Sequence, residues 1–198
     1  SPQFFTAWAA CFSAGIKRVP FIFELRDLWP ESIIAVGAIK NRIILGLLEK
    51  MELFLYWRAE GIISVTQSFK ENLVRRGVKG RKICVVTNGV DLKRFLPMSK
   101  KTELINRLNL KDKFIVGYIG THGMAHALET LILAGKILNE KNEKDIEIIL
   151  LGDGARKNEL INKAKEEGVQ NVHFYPTVTK AEVPNYWSIL DAAIIHLK

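Results

Sequence analysis

Short runs that are apolar on both faces alternate along this chain with stretches of helical periodicity, and few folds accommodate that pattern. Val19–Leu25 (VPFIFEL), Gly61–Val65 (GIISV) and Ile83–Thr87 (ICVVT) are such runs in the first half. Phe114–Ile119 (FIVGYI), Ile146–Leu151 (IEIILL), Val172–Tyr175 and Ala192–Leu197 (AAIIHL) follow in the second. A strand with no polar face needs cover on both sides, which a parallel sheet between helices provides. The spacing predicts helices over Ile39–Glu60, Ser68–Arg76, Ala125–Asn139, Ala155–Glu167 and Ala181–Ser188, with Gly77 and Gly168 as stops. Strand–helix alternation at this spacing builds right-handed βαβ units, hence a doubly wound α/β fold. The polar stretch Asn88–Lys113, with a short helix expected near Glu103–Leu108, reads as a connection between two such units, divided near Leu96.

At 198 residues, 48% hydrophobic and 25% charged, the chain is neither disordered, collagen-like nor a disulfide scaffold. Cys11 and Cys84 sit in apolar surroundings and suit a reduced compartment. The net charge of +8 is uneven: 15 Lys and Arg oppose 8 Asp and Glu up to Leu96, and 14 oppose 13 beyond it. A basic half suits an anionic membrane surface or an acidic substrate, or is simply a solvated lysine-rich face. Nucleic acid is the weakest of the candidate partners and is not expected, since no zinc-finger spacing, aromatic-basic signature or basic helix appears. Ile33–Trp57 carries too many charges to span a bilayer; it reads as a helix packed on its own sheet or lying on a membrane surface. The apolar stretch Phe4–Ala14 lacks the basic leader of a signal peptide.

Gly120-Thr121-His122-Gly123 stands between a strand and a helix, where an open parallel sheet binds ligands. Glycines there let backbone N–H groups approach an anion, and the helix start adds positive potential; a plain tight turn is the alternative. Gly152-Asp153-Gly154 follows the next strand and should share that rim, with Asp153 either accepting from a ligand hydroxyl or capping the helix at Ala155. The dinucleotide fingerprint G-x-G-x-x-G is absent, which sets an oxidoreductase aside. His122 and His126 are four apart and could share a helical face, but no third ligand or neighbouring Glu makes them a metal site. His173 and His196 read as core or rim residues. Arg26 and Asp27 follow a strand end and either point into the crevice or form a buried pair that shapes the loop. Asn88-Gly89-Val90-Asp91 reads as a turn.

RDLWPES (Arg26–Ser32), VVTNGVDLKRF (Val85–Phe95), GYIGTHGMAHALETL (Gly117–Leu131) and LLGDG (Leu150–Gly154) occur in the order seen in family 4 glycosyltransferases, and Phe174–Lys198 extends the likeness over essentially the whole chain. The chain resembles the branch that builds surface polysaccharides and lipid-linked sugars. That resemblance implies two Rossmann-like domains of GT-B type, both incomplete. Residues 1–96 would be the back of the acceptor-side domain, and 97–198 the front of the donor domain. It implies transfer of a sugar, with retention, from a UDP- or GDP-sugar to a lipid-linked or polysaccharide acceptor. Neither cofactor nor dedicated metal is expected, and the work would be done at the cytoplasmic membrane face.

By the same resemblance Gly120, Thr121, His122, Gly123 and His126 would face the diphosphate together with Gly152, Asp153 and Gly154. The backbone at Thr177 and Val178 would meet the base. Asn88, Gly89 and Asp91 would lie at the interdomain hinge, and Arg26 and Asp27 would be the catalytic, acceptor-side residues. The Arg and Lys with which many relatives clamp the diphosphate fall here at Thr121 and His126. The paired glutamates of the family would lie beyond Lys198, since Glu52/Glu60 and Glu159/Glu167 share their spacing but sit inside other helices. The chain is therefore expected to be an internal fragment, inactive alone. A nucleotide-sugar epimerase of the same architecture and a non-catalytic binding or inert fragment are the rival readings.

Overall fold

The structure is a computed structural model that describes residues 4–29, 39 and 41–196. Pro30, Glu31 and Ser32 of the RDLWPES segment and Leu197 of the expected last strand lie outside the described residues. The chain divides into two compact units, Ser1–Gly89 and Val90–Lys198.

In the first unit, β1 (Ile22–Leu25), β2 (Gly61–Ser64) and β3 (Ile83–Val85) form a parallel sheet in the order β1-β2-β3. Ile22 pairs with Gly61, and Ile62 with Ile83. Helix α1 (Phe4–Lys17) covers it with buried Phe4, Ala7 and Cys11, spaced by three and four. Helix α2 (Arg42–Arg58) starts where the Asn41 side chain accepts from the Ile43 and Ile44 amides, and adds Leu55 and Tyr56 to the core. Helix α3 (Gln67–Arg75) is capped by Thr66 and closed at Gly77, whose N–H donates to Val74 while that of Val78 donates to Leu73. Both cysteines are free; Cys11 is buried, but Cys84 is exposed, contrary to its apolar sequence neighbourhood.

One charge lies inside this core. Glu52 of α2 is buried and accepts from the Trp29 amide (3.2 Å), the Tyr56 hydroxyl and the Arg76 guanidinium (2.5 Å). Burial pushes its carboxyl above the ordinary range, and the donors from Tyr56, Arg76 and Trp29 pull against that without cancelling it. The carboxylate thus joins the loop after β1, helix α2 and the end of α3.

In the second unit β4 (Phe114–Ile119), β5 (Ile146–Leu151), β6 (Val172–Tyr175) and the short β7 (Ala192–Ala193) are parallel, in the order β6-β5-β4-β7. Helices α5 (Glu129–Glu140) and α6 (Lys157–Glu166) pack with Ile148 and Leu150 of β5. Ile149 and Leu151 face the opposite way, against α4 (Thr102–Arg107) and α7 (Val183–Ile189). Both faces of β5 are therefore dry over Ile148–Leu151, as the apolarity of that stretch requires. The last strand is shorter than its apolar run suggests, although the Ile194 amide still donates to Gly117 (2.8 Å).

Replacing Glu52 with Ala removes the buried partner of the largely buried Arg76 guanidinium and leaves it only the more distant Glu49, which should cost about 3 kcal/mol. Glu49 reaches the same Arg76 at 3.4 Å from a half-exposed position, and its replacement should cost less than about 1 kcal/mol. Urea unfolding of the two variants measures both; equal losses would contradict a Glu52-centred network.

Candidate functional site

Three strands of the second unit end side by side, at Ile119, Leu151 and Tyr175, and the loops leaving them are joined through their backbones. The Gly120 amide donates to Leu151 (3.0 Å), the His122 amide to Asp153 (2.9 Å), and the Arg156 amide to the His122 carbonyl (3.0 Å). Gly152 has φ +145°, and a Cβ there would collide with the Gly120 carbonyl oxygen. A Cβ on Gly154 would stand 2.5 Å from the His122 carbonyl oxygen. Glycine at both positions is a condition of that contact.

Above the joined loops lies a hollow of about 250 Å³, walled by Ile119, Gly120, Thr121, Leu151, Gly152, Asp153, Thr177, Val178 and Val183. The structure thus brings together Gly120, Thr121, Gly152, Asp153, Thr177 and Val178 from three separate loops. Among the described residues no protein acceptor takes the backbone N–H of Thr121, Gly123 or Asp153. Thr121 and Asp153 therefore bring unpaired donors to the wall, suited to an anionic or polar ligand. The Asp153 side chain is exposed and accepts from the Gly154 amide (2.8 Å), so it closes its own turn. Ile119, Leu151 and Val183 make the rest of the wall apolar.

His122, Gly123, His126 and Gly154 are not on that wall. His122 is fully buried between Tyr118 and Phe174, and neither ring nitrogen has a partner. Burial and then the charge of Lys157 push its pKa below the ordinary value; Asp153 pulls it back, and His126 adds to the depression. His126 does not share a helical face with it. Met124–His126 is a single 3₁₀ turn, Ala127 is left-handed (φ 41°), and α5 begins only at Glu129. The expected helix over Ala125–Asn139 therefore starts late, and the glycine loop does not run directly into it.

The start of α5 already carries an anion. The Glu129 carboxyl is raised by burial but held below its ordinary value by its own amide and by Arg156, whose guanidinium meets it at 3.0 Å. His196 Nδ1 lies 2.8 Å from the His126 carbonyl, which fixes the proton on Nδ1, and His173 Nε2 meets Glu147 at 2.7 Å. No three His, Cys, Asp or Glu side chains gather as metal ligands among the described residues. Missed by sequence reasoning was Lys157, whose ammonium donates to the Gly152 (2.7 Å) and Tyr175 (3.0 Å) carbonyls behind the wall. The signal available was a basic residue three positions after the second glycine loop.

In the first unit Arg26 and Asp27 are exposed at the end of β1. They do not form the buried pair considered above: Arg26 binds Glu24 (2.9 Å), its same-face neighbour two residues back. Asn88 and Gly89 are exposed at the end of the first unit. Asp91 lies at the start of the second, one residue after Val90, its carboxylate accepting from the Lys93 amide (3.0 Å) and its carbonyl from the Arg94 and Phe95 amides.

The second unit's parallel sheet, covered on both faces and carrying two glycine loops at its carboxyl end, has a Rossmann-like architecture. The first unit's sheet leaves Ile22, Glu24 and Cys84 exposed on one face, contrary to the two-sided cover expected. The comparisons place the fold among GT-B folds. Residues 1–94 match the family described as Glycosyltransferase Family 4, and residues 100–197 match Glycosyl transferases group 1. The chain belongs to glycosyltransferase family 4. It is 20% identical over 200 residues to WcaI of Escherichia coli (strain K12), named as a colanic acid biosynthesis glycosyl transferase, covering 98% of this chain and 48% of that protein. It is 28% identical over 155 residues to the capsular polysaccharide biosynthesis glycosyltransferase CapM of Staphylococcus aureus, covering 75% of this chain and 38% of that one. The chain thus spans half or less of these relatives. Anabaena Alr3699/HepE, solved in complex with UDP-glucose, superposes with a TM-score of 0.74 at 16% identity, over 96% of this chain and 50% of that one.

His122 titrates against the fold. A folded pKa below the unfolded 6.5 means the full contribution is present above that pH. Stability should then fall as the pH drops from about 6.5 toward the depressed folded value, with a slope of up to ~1.4 kcal/mol per pH unit. Thermal melts between pH 7.5 and 5 measure it. His122→Gln should flatten the curve in that window, and an unchanged slope would contradict this origin.

Proposed function

We propose that this chain is part of a retaining glycosyltransferase that moves a sugar from a UDP- or GDP-sugar to a lipid-linked or polysaccharide acceptor. The observation that carries the reading is the hollow at the ends of β4, β5 and β6. Its apolar wall at Val178 and Val183 suits a nucleobase, and the unpaired amides of Thr121 and Asp153 suit a ribose or phosphate oxygen. As the bond between anomeric carbon and diphosphate breaks, its electron pair leaves on the diphosphate, and fixed N–H donors stabilise that charge without reorganising. Family membership and the names of WcaI and CapM support a surface polysaccharide as the product, and the UDP-glucose bound by HepE supports the donor class. Arg26 and Asp27 are the residues we assign to the acceptor side, and Asn88, Gly89 and Asp91 to the hinge. No metal is assigned a role.

Hydrogen exchange with UDP or GDP tests the donor site. Residues 119–124 and 151–154 should gain protection with at least one of the two nucleotides, while sugars alone leave them unchanged. Protection confined to other segments, or none with either nucleotide, would overturn the reading.

We also assign the first unit to an anionic membrane surface. Phe5, Phe12 and Ile16 of α1 and Ile43, Leu47 and Trp57 of α2 are exposed, and Lys17, Arg18, Arg42 and Arg58 flank them at the helix ends. No helix among the described residues is long and apolar enough to cross a membrane. Each basic residue near an anionic surface contributes about 1 kcal/mol. The protein should therefore pellet with phosphatidylserine vesicles, less so as salt rises; equal pelleting with neutral vesicles would remove the assignment.

A further inference from the structure

The wall of the hollow has amides and apolar side chains but no cation. Its one ionised side chain is Asp153, of the wrong sign for a phosphate. The start of α5, the nearby source of positive potential, is bracketed by Glu129. Arg156 is spent as well, on Glu129 at 3.0 Å and on Glu159 at 2.5 Å. A nucleoside diphosphate carries two to three negative charges at neutral pH, and some group must offset them.

Lys157 is differently placed. Its half-buried ammonium donates to the carbonyls of Gly152 and Tyr175, the residues at which β5 and β6 end, and no carboxylate pairs with it among the described residues. Two of its three hydrogens are thereby used, and its charge stands uncompensated directly behind the Gly152 wall. Carbonyl oxygens orient the ammonium but do not neutralise it. Its field reaches the neighbouring loop, where it helps keep the His122 ring neutral.

We propose that Lys157 is the cation that gives this hollow its preference for a nucleoside diphosphate over a bare nucleoside. The inference rests on the donor-site reading above. Lys157 acts from behind the wall, raising the positive potential at the Thr121 and Asp153 amides, and is a positioning residue rather than a catalytic one. At an effective dielectric near 20, a unit charge held just behind the wall should raise affinity for the diphosphate by about tenfold or more.

The test is calorimetric titration of the chain and its variants with UDP, GDP, uridine and guanosine at two salt concentrations. Lys157→Gln keeps N–H donors for the two carbonyls and removes the charge; Lys157→Arg keeps the charge. For the nucleotide the protein prefers, Lys157→Gln should weaken diphosphate binding about tenfold or more. It should leave the matching nucleoside within about twofold, and flatten the salt dependence. Lys157→Arg should stay close to the unsubstituted protein. Circular dichroism checks the fold, and if Lys157→Gln does not fold, the steeper salt dependence of diphosphate over nucleoside binding, retained in Lys157→Arg, decides. Parallel loss of nucleotide and nucleoside would show that Lys157 only braces the loop and overturn the proposal. If the unsubstituted protein takes up none of the four ligands, the donor-site reading falls, and this inference with it. Nucleotide and nucleoside bound equally well by the unsubstituted protein would sink the inference alone.

Discussion

Two backbones touch at the carboxyl ends of β4 and β5, and the second unit is organised around that contact. A chain can approach another so closely only where side chains are missing, so Gly152 and Gly154 sit where they do by exclusion. The reward is a set of backbone hydrogen bonds through His122 that fixes one glycine loop against the other. The polar groups at the centre of this contact bond to one another, and among the described residues the amides of Thr121 and Asp153 are left over without a protein acceptor. The hollow is what remains when the loops have satisfied each other.

The first unit is held by a different device. A carboxylate buried at Glu52 collects donors from a loop and two helices, and its worth is set by how completely those donors surround it. Such a centre adds little stability over an apolar core, but it ties Trp29, in the loop that carries Arg26 and Asp27, to helix α2 and to Arg76. The two units thus reach precision by opposite routes, one by removing side chains and the other by burying a charge.

Much of this was legible in the sequence because apolar runs with sharp ends leave little freedom. Val172–Tyr175, Ile146–Leu151 and Phe114–Ile119 are strands with the bounds their composition suggests. Helix α1 was hidden by a question about leaders, although Phe4, Ala7 and Cys11 already stood at helical spacing. The delayed start of α5 was not legible, because alanine gives no warning of a left-handed conformation and Ala127 adopts one. Gly120, Thr121, Gly152 and Asp153 could be placed on one rim in advance since neighbouring parallel strands end side by side. Thr177 and Val178 were expected only from the family resemblance, and Gly123 and Gly154 of the same loops lie off the wall. What lies behind the wall could not be placed. The role of Lys157 depends on Tyr175, eighteen residues away, and the burial of His122 on Phe174 from another strand.

The crowding at Gly152 and Gly154 also bears on how such a site can diversify. Substitution on that side is closed by sterics, whereas Thr177 is exposed, and with Val178 and Val183 it lines the opposite wall with side chains rather than with touching backbones. Drift in which molecule the hollow prefers should therefore be written on the Thr177–Val183 side, while the glycine side persists as an inherited constant.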